Sequence, residues 1–217
     1  PLARYAWERG LEPRTLSGLF GPQTGENPAR RASVAMDTQN RLVTSALLIL
    51  ILLLAAALRF CCLDAQSLWN DEGTSVAVAQ RDPVAIAHNA AAHIHPPLYY
   101  WSLSGWVRMH GTSETAVRSL SALLGVVLVA LTYALGWQVA GRWIGLVAAF
   151  LGAISPFQVY YSQEARMYML VAALAAGAML ALVRYVRSGS WLALIVLVLL
   201  EAAGIYTHYS FVFIIVI

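Results

Sequence analysis

The sequence predicts an all-α membrane protein, a multi-spanning helical bundle with an outer loop of helices that lie on the membrane surface. Of its 217 residues, 59% are hydrophobic and 12% are charged, whereas soluble domains are about 45–50% apolar and about 25% charged. Apolar residues come in several runs close to the length of about 20 that crosses a bilayer as a helix. The net charge of +3 is small and scattered, which argues against nucleic acid as a partner.

The N-terminal segment 1–41 is rich in Arg, Pro, Gly and Glu without an apolar period, which predicts a flexible tail. A transmembrane region is predicted over 42–217. Because basic residues flank spanning helices on the cytoplasmic side, the arginines of the tail indicate a cytoplasmic N-terminus. The sequence begins with Pro1 and ends at Ile217 inside an apolar run. We therefore expect a piece of a longer protein, with Met36 as a candidate start.

A first outer loop is predicted over 61–118. Thr74–Gln80 and Pro83–His93 have the mixed composition of short surface helices. The aromatic segment 97–110 is too short to cross comfortably. If it crosses, Arg142 and the Arg184/Arg187 pair fall outside, opposite the basic tail; if it lies in the interface, they fall inside with the tail, which obeys the charge rule. We expect interfacial arginines at Arg59, Arg81, Arg108 and Arg118. Spanning helices are predicted over Leu42–Phe60, Ser119–Ala140, Trp143–Phe157, Met167–Tyr185 and Trp191–Tyr206, with another beginning at Phe211.

This topology collects polar residues from distant segments on the outer face. They are Asp71, Glu72, His95, Gln163, Glu164, Arg166 and His208. Carboxylates next to apolar helices are costly unless they face water, a partner or a substrate, since a charge at the bilayer centre costs roughly 2.5–3.5 kcal/mol. The sequence therefore predicts a site at the outer surface, with Asp71 and Glu72 at its mouth.

The order of three motifs resembles the polyprenyl-phosphate-sugar-dependent glycosyltransferases of the GT-C superfamily. The motifs are Trp69-Asn70-Asp71-Glu72, then His95-Pro96-Pro97-Leu98-Tyr99-Tyr100-Trp101, then Gln163-Glu164-Ala165-Arg166-Met167-Tyr168; Thr207-His208-Tyr209 is a less specific fourth. The resemblance is to the branch that contains protein O-mannosyltransferases, lipid A aminoarabinose transferases and bacterial relatives. It covers about residues 42–217 and implies the N-terminal part of a GT-C-like fold.

The resemblance implies a membrane enzyme that moves a sugar from a polyprenyl-phosphate donor to an acceptor on the outer face, with inversion at the anomeric carbon. It implies Asp71 as the catalytic base, because a carboxylate can accept the proton as a hydroxyl attacks. Glu72 is then expected to orient the acceptor or help bind a divalent ion. The alternative for this segment is a helix N-cap formed by Asn70 or Asp71.

Four further residues are predicted to bind substrate. Arg166 suits the leaving phosphate, because its planar guanidinium matches phosphate oxygens; the alternative is an arginine that marks the membrane boundary. Glu164 is expected to bind the donor headgroup or a metal, or to pair with Arg166. His95 is expected to hydrogen-bond a phosphate or the acceptor, and His208 to line the donor groove, with a helix-end histidine as its alternative.

The predicted cofactor is a divalent cation, Mg or Mn, with Asp71, Glu72 and Glu164 as candidate ligands. Expected partners are the polyprenyl-phosphate-linked sugar, membrane lipids and further membrane subunits, and the expected location is the inner (plasma) membrane. Two other functions stay open: a lipid transporter or flippase that binds a lipid phosphate without chemistry, and a non-catalytic accessory subunit. The adjacent Cys61 and Cys62 show no metal-binding spacing and are expected to be small residues at a helix end.

Overall fold

The structure is a computed structural model that describes residues 28–92 and 95–215. The described residues form helices and no strand, which confirms the predicted all-α class. The chain divides into two compact units, Pro1–Val43 and Thr44–Ile217. The first described helix, α1 (Pro28–Phe60), begins in the first unit and ends in the second.

Helix α1 corrects the C-terminal boundary of the predicted flexible tail, because it already includes residues 28–41. Pro28 suits the first turn of a helix, and the Ala, Arg, Met and Gln residues that follow are compatible with helix. The helix of the first apolar run therefore extends back through the polar residues. Residues 1–27 lie outside the described residues. Within α1, Thr38–Phe60 is long and apolar enough to span a membrane.

The predicted surface helices are present as α2 (Asn70–Ala79), α3 (Pro83–Ala92) and α4 (Leu98–His110). The predicted end of the second one, His93, lies outside the described residues. Helix α4 has 13 residues, fewer than the roughly 20 that a spanning helix needs. A buried cluster joins these helices to the rest of the unit, and its members include Val76, Ile86, Tyr99, Leu103, Val117 and Met167.

The remaining helices are α5 (Glu114–Ala140), α6 (Arg142–Ile154), α7 (Pro156–Ser162), α8 (Tyr168–Ser188) and α9 (Trp191–Ile205). Among the described residues, α5 and α8 join Thr38–Phe60 as helices long enough to cross alone, and the bent pair of α6 and α7 makes a fourth span if counted as one. Helix α9 is shorter, with 15 residues. A 3-10 turn (Tyr209–Phe211) and α10 (Val212–Ile215) follow.

The predicted span Trp143–Phe157 is broken where α6 and α7 meet at 61°. Pro156 has no N–H to donate to the carbonyl of Gly152 four residues earlier. Arg59 replaces the missing donors, with Nη2 donating to the oxygen of Gly152 and Nη1 to that of Ala153, both at 3.0 Å. Arg59 is fully buried, which corrects its predicted interfacial position. The physical reason is that buried carbonyls without a hydrogen-bond donor cost free energy, and the Arg59 side chain supplies the donors.

Helices α5 and α8 run in the same direction. Their N-terminal ends lie together, since Ser121 Oγ donates to the backbone oxygen of Arg166 at 3.4 Å. Their C-terminal ends also lie together, since Arg187 Nη1 donates to the backbone oxygen of Gln138. The predicted site residues are therefore found at one end of these helices, and the basic residues near the C-terminal end of α8, Arg184 and Arg187, at the other.

Candidate active site

Helix α2 presents the two adjacent acids. Its N-cap is Trp69 and its first residue is Asn70, so neither Asn70 nor Asp71 caps it, which corrects the capping alternative. The carboxylate of Glu72 instead accepts the backbone N–H of Trp69 at 3.3 Å. Consecutive residues on an α-helix point about 100° apart, because a turn takes 3.6 residues. Asp71 and Glu72 therefore face different surroundings.

Glu72 is fully buried and forms a two-pronged ion pair with Arg118 of α5. Arg118 Nε donates to Oε1 at 2.9 Å and Nη2 donates to Oε2 at 2.6 Å. The backbone N–H of Ala165 also donates to Oε1, at 2.8 Å. One carboxylate thus ties α2 both to α5 and to the turn that precedes α8. Arg118 is buried in this contact, which corrects its predicted interfacial position.

The surroundings of Glu72 keep it ionised. Burial acts to raise the pKa of Glu72, but the hydrogen bonds from Arg118 and from the N–H of Ala165 outweigh it, and the pKa is lowered from its ordinary value. Both carboxylate oxygens already have donors. Glu72 therefore acts as a fixed anchor within the folded chain, with little capacity left to accept a further proton.

Asp71 lies beside Arg166 in a looser and more open pair. The distance from Arg166 Nη2 to Asp71 Oδ2 is 3.6 Å, and the Asp71 side chain is 45% exposed. Arg166 Nη1 donates to the backbone oxygen of Asp71 at 3.4 Å. The guanidinium carbon lies 5.9 Å from the centre of the Tyr168 ring, within the range of a cation–π contact. Among the described residues, the buried Nε of Arg166 has no hydrogen-bond partner.

Two histidines complete this cluster. The rings of His95 and His208 have centroids 5.6 Å apart, and the backbone N–H of Leu98 donates to the oxygen of Tyr206 at 3.0 Å, which joins their two segments. His208 Nδ1 accepts the N–H of Ser210 at 3.1 Å, so its neutral ring carries the proton on Nε2. The buried Nδ1 of His95 has no hydrogen-bond partner within the described ranges.

The cluster favours a neutral His95. Burial lowers the pKa of the His95 ring, the positive charge of Arg166 and the neighbouring His208 lower it further, and Asp71 acts in the opposite direction; the pKa is below its ordinary value. Burial likewise raises the pKa of the nearby Tyr100 phenol. Near neutral pH both groups are therefore neutral and able to donate one hydrogen bond.

An apolar groove begins beside His208 and Tyr168. It has a volume of about 380 Å³ and follows α8 from Tyr168 to Ala175, a rise of about 10 Å at 1.5 Å per residue. Its other lining residues are mostly apolar or aromatic and include Phe157, Tyr161, Met169, Val171 and Ile214. The groove thus offers an apolar surface that ends at the polar cluster.

Glu164 lines a second pocket, and Asp71 is not among the lining residues of that pocket. This second pocket has a volume of about 430 Å³, and Glu164 shares its wall with Glu72, Arg118, Trp69 and Gln66. The structure therefore brings four of the predicted site residues into one cluster: Asp71, His95, Arg166 and His208. Glu164 is not part of this cluster and instead lines the second pocket together with Glu72. The predicted pairing of Glu164 with Arg166 is not among the ion pairs of the described residues.

The predicted metal ligands do not converge. Across the described residues, no group of three or more His, Cys, Asp or Glu side chains is arranged to hold a metal ion. Glu72 has both oxygens engaged, and Glu164 lines the second pocket while Asp71 faces Arg166. These residues do not fit a divalent ion in this arrangement, and the cation stays a prediction.

The sequence reasoning missed Arg118 as the partner of Glu72. A buried carboxylate needs a counter-ion, and this was the available signal. Several arginines lie next to apolar runs, however. Their spacing along the chain does not predict which of them contacts Glu72 on α2. Tyr100 was also missed as a cluster neighbour, because aromatic residues of a surface helix are first expected to pack.

The polar cluster adjoins an apolar groove, so a charged group and an attached apolar chain would find neighbouring surfaces here. A family model, dolichyl-phosphate-mannose-protein mannosyltransferase, matches residues 94–217. This is more than half of the chain, and the chain belongs to that family. The match confirms the resemblance and covers the motifs around His95 and Arg166, while Asp71 lies before the matched residues. No curated protein and no solved structure matches the chain significantly.

Family membership implies a membrane glycosyltransferase that uses a polyprenyl-phosphate sugar donor. The apolar helices identify the chain itself as a membrane protein.

Proposed function

We propose that this chain carries the catalytic end of an inverting glycosyltransferase, in which Asp71 is the base. The observation that carries the proposal is the open Asp71–Arg166 pair. An accessible carboxylate stands beside a buried guanidinium whose Nε has no hydrogen-bond partner among the described residues. A sugar phosphate needs both groups, a base for the incoming hydroxyl and a cation for the departing phosphate.

The reaction is a single displacement at the anomeric carbon. The acceptor oxygen forms a bond to that carbon while its proton passes to the Asp71 carboxylate. The bond from the anomeric carbon to the phosphate oxygen breaks, and its electron pair leaves with the polyprenyl phosphate. Charge develops on the leaving oxygens, and preorganised donors aimed at developing charge are worth more in a buried site than in water. Arg166 supplies such donors, and attack from the opposite side inverts the configuration.

The donor is proposed to lie with its phosphate against Arg166 and its isoprenoid chain in the groove. His95 and His208 stand near the guanidinium and present ring nitrogens that can donate to phosphate oxygens. The groove begins at His208 and Tyr168, so an apolar chain attached to that phosphate would enter it directly. Arg166 and His208 thereby take the donor-binding roles predicted for them.

Glu72 is proposed to be a positioning residue rather than a second base. Its hydrogen bond to the N–H of Ala165 holds the turn that presents Arg166, while its bond to Arg118 holds α2 in place. Helix α2 and the turn that presents Arg166 are thereby kept side by side before substrate binds, while the side chains of Asp71 and Arg166 are free to separate around the sugar. Glu164, on the second pocket, is proposed to contact the acceptor.

A transfer assay with full-length protein in detergent or vesicles tests this function. We expect release of polyprenyl phosphate from a radiolabelled polyprenyl-phosphate sugar, together with the label on an acceptor and with inverted configuration. Movement of the intact lipid between leaflets without bond cleavage would support the flippase alternative instead. Stable association with other membrane proteins without any cleavage would support the accessory subunit.

We infer that the site faces the outer side of the plasma membrane. Arg142, Arg184 and Arg187 lie at the helix ends opposite the site, and the positive-inside rule assigns such basic turns to the cytoplasm.

The orientation predicts opposite accessibility for two single cysteines, Arg142→Cys and Glu164→Cys, each in a Cys61→Ser/Cys62→Ser background. A membrane-impermeant maleimide added to intact cells is expected to label residue 164 at once and residue 142 only after permeabilisation. Labelling of both residues from the same side would contradict the topology.

A further inference from the structure

Two thiols meet at the C-terminal end of α1. Cys61 and Cys62 are the only cysteines in the sequence, and both are free and exposed. Their Sγ atoms lie 3.0 Å apart. Neither thiol is needed for glycosyl transfer as proposed above, and no metal-binding spacing accounts for the pair.

The backbone brings these side chains together. Cys61 still donates its N–H to the oxygen of Ala57 at 3.1 Å, and Cys62 accepts the N–H of Ala65 at 3.1 Å. Cys62 has φ of +59° and is the single non-glycine residue with positive φ in the described part of the chain. The left-handed conformation is unfavourable for a residue with a Cβ. The chain therefore accepts strain in a turn that places one thiol against the next.

We propose that Cys61 and Cys62 are a site of reversible oxidation, which closes to a vicinal disulfide by exchange with a disulfide-bonded oxidant. One thiolate attacks the oxidant, forms a mixed disulfide and releases one thiol. The neighbouring thiolate then attacks the cysteine sulfur of the mixed disulfide, closes the ring and releases the second thiol. Two electrons and two protons pass from the pair to the oxidant.

The ring is reducible as well as accessible. Adjacent Cα atoms lie about 3.8 Å apart across a trans peptide, whereas ordinary disulfides join Cα atoms about 4.4–6.8 Å apart, and departures from that geometry make the bond easier to reduce. A disulfide between Cys61 and Cys62 is therefore expected to form and break reversibly and not to serve as a permanent cross-link. The outer-side location under the proposed function supplies an oxidising compartment, but the chemistry itself requires only the two thiols.

The pair is connected to the candidate active site through Gln163. Its Nε2 donates to the oxygen of Cys61 at 3.0 Å and to that of Leu58 at 3.1 Å. Gln163 opens the turn that contains Ala165 and Arg166, and Cys62 lines the second pocket together with Glu72. A change in the Cys61–Cys62 turn therefore acts on the segment that presents Arg166 to Asp71.

Redox titration of the purified full chain tests the site. The protein is equilibrated with mixtures of reduced and oxidised glutathione, trapped with a maleimide and measured by intact mass. We expect a monomer that loses two hydrogens and both labelling sites together, and regains them with dithiothreitol. Glutathione adducts on both cysteines, a disulfide-linked dimer, or two thiols still free in fully oxidised buffer would overturn the proposal.

Single variants provide the matched control. Cys61→Ser and Cys62→Ser each keep one thiol, and each is expected to stop at the mixed disulfide with glutathione. Gln163→Ala is expected to change the equilibrium constant of ring closure by about 3- to 10-fold, as for the loss of one or two hydrogen bonds; an unchanged constant would overturn the connection to the site. Ring closure in a protein without transferase activity would leave this inference standing while the proposed function fails.

Discussion

The two arginine–carboxylate pairs at this site differ in almost every physical respect, although their acids are adjacent in sequence. Glu72 is buried and meets Arg118 at 2.6 Å with both oxygens engaged. Asp71 is 45% exposed and lies 3.6 Å from Arg166. The first pair is closed and joins three segments of the chain. The second is open to solvent, and Nε of Arg166 has no hydrogen-bond partner in the part of the chain that the structure describes.

This difference suggests a division of labour between the acids. A carboxylate that already accepts strong hydrogen bonds is a poor base, because its ionised form is stabilised. The Asp71 side chain is 45% exposed, so an acceptor hydroxyl can reach its carboxylate. We therefore propose that the closed pair serves stability and that the open pair serves chemistry. The predictions that follow perturb one pair at a time and ask whether the other is affected.

Asp71→Asn is expected to have the largest effect, on activity alone. Removing a general base costs about 10²- to 10⁴-fold in rate, whereas an exposed side chain contributes little to stability. Turnover of labelled polyprenyl-phosphate sugar and the thermal unfolding midpoint in detergent measure the two quantities. Asp64→Asn, an exposed acid in the same loop, is the matched control and should leave both unchanged. Turnover of Asp71→Asn near that of the parent would remove Asp71 as the base.

Glu72→Gln is expected to act mainly on stability. It leaves Arg118 buried without its counter-ion, and breaking one side of a buried pair costs about 3–5 kcal/mol. A lowered thermal midpoint is the expected result. The fraction that stays folded should also lose some activity, because Glu72 no longer holds the turn that presents Arg166 as firmly. The double variant Glu72→Gln/Arg118→Met should recover part of the midpoint, because the uncompensated charge is removed. An unchanged midpoint for Glu72→Gln would contradict the closed-pair assignment.

Arg166→Lys tests the cation of the open pair. Lysine keeps the charge but loses the planar arrangement of donors, and a hydrogen bond to a charged group is worth about 1.5–3 kcal/mol. We expect kcat/KM to fall about 10- to 100-fold with little change in the thermal midpoint. Arg108→Lys, an exposed arginine on α4, should be neutral. Equal effects of the two variants would argue against a specific phosphate contact at Arg166.

The smallest expected effect concerns pH and His95. Its pKa is lowered in the folded chain, so below the ordinary histidine range the unfolded chain binds a proton that the folded chain resists. Stability is therefore complete above that range and falls as the pH drops through it. Thermal midpoints between pH 8 and pH 5, about 1.5 units on each side of the ordinary histidine pKa of about 6.5, should show this decline, and His95→Asn should reduce it. The exposed His88→Asn should not; a parent midpoint that does not fall over this range would contradict the lowered pKa.

The helical class and most spanning segments could be read from the sequence, because a run of apolar residues has few stable alternatives in a bilayer. The motifs around Asp71, His95 and Arg166 could be read too, and the family match supports two of these three regions. The burial of Arg59 and Arg118 could not be predicted from the sequence. An arginine beside an apolar run looks the same in the sequence whether its side chain reaches lipid headgroups or packs inside the protein. The break at Pro156 was also hidden inside a run that looked continuous.

The sequence by itself determined that this is a helical membrane protein whose polar motifs alternate with apolar spans. Only the tertiary structure decided that Glu72 is bound by Arg118 and the N–H of Ala165 while Asp71 stays open beside Arg166. The physical reason is that apolar runs are local features of the sequence. The partner of a buried charge depends instead on which distant residues the fold brings within a few ångströms of it. Neighbouring carboxylates on one helix turn point about 100° apart, and that rotation separates an anchor from a candidate base.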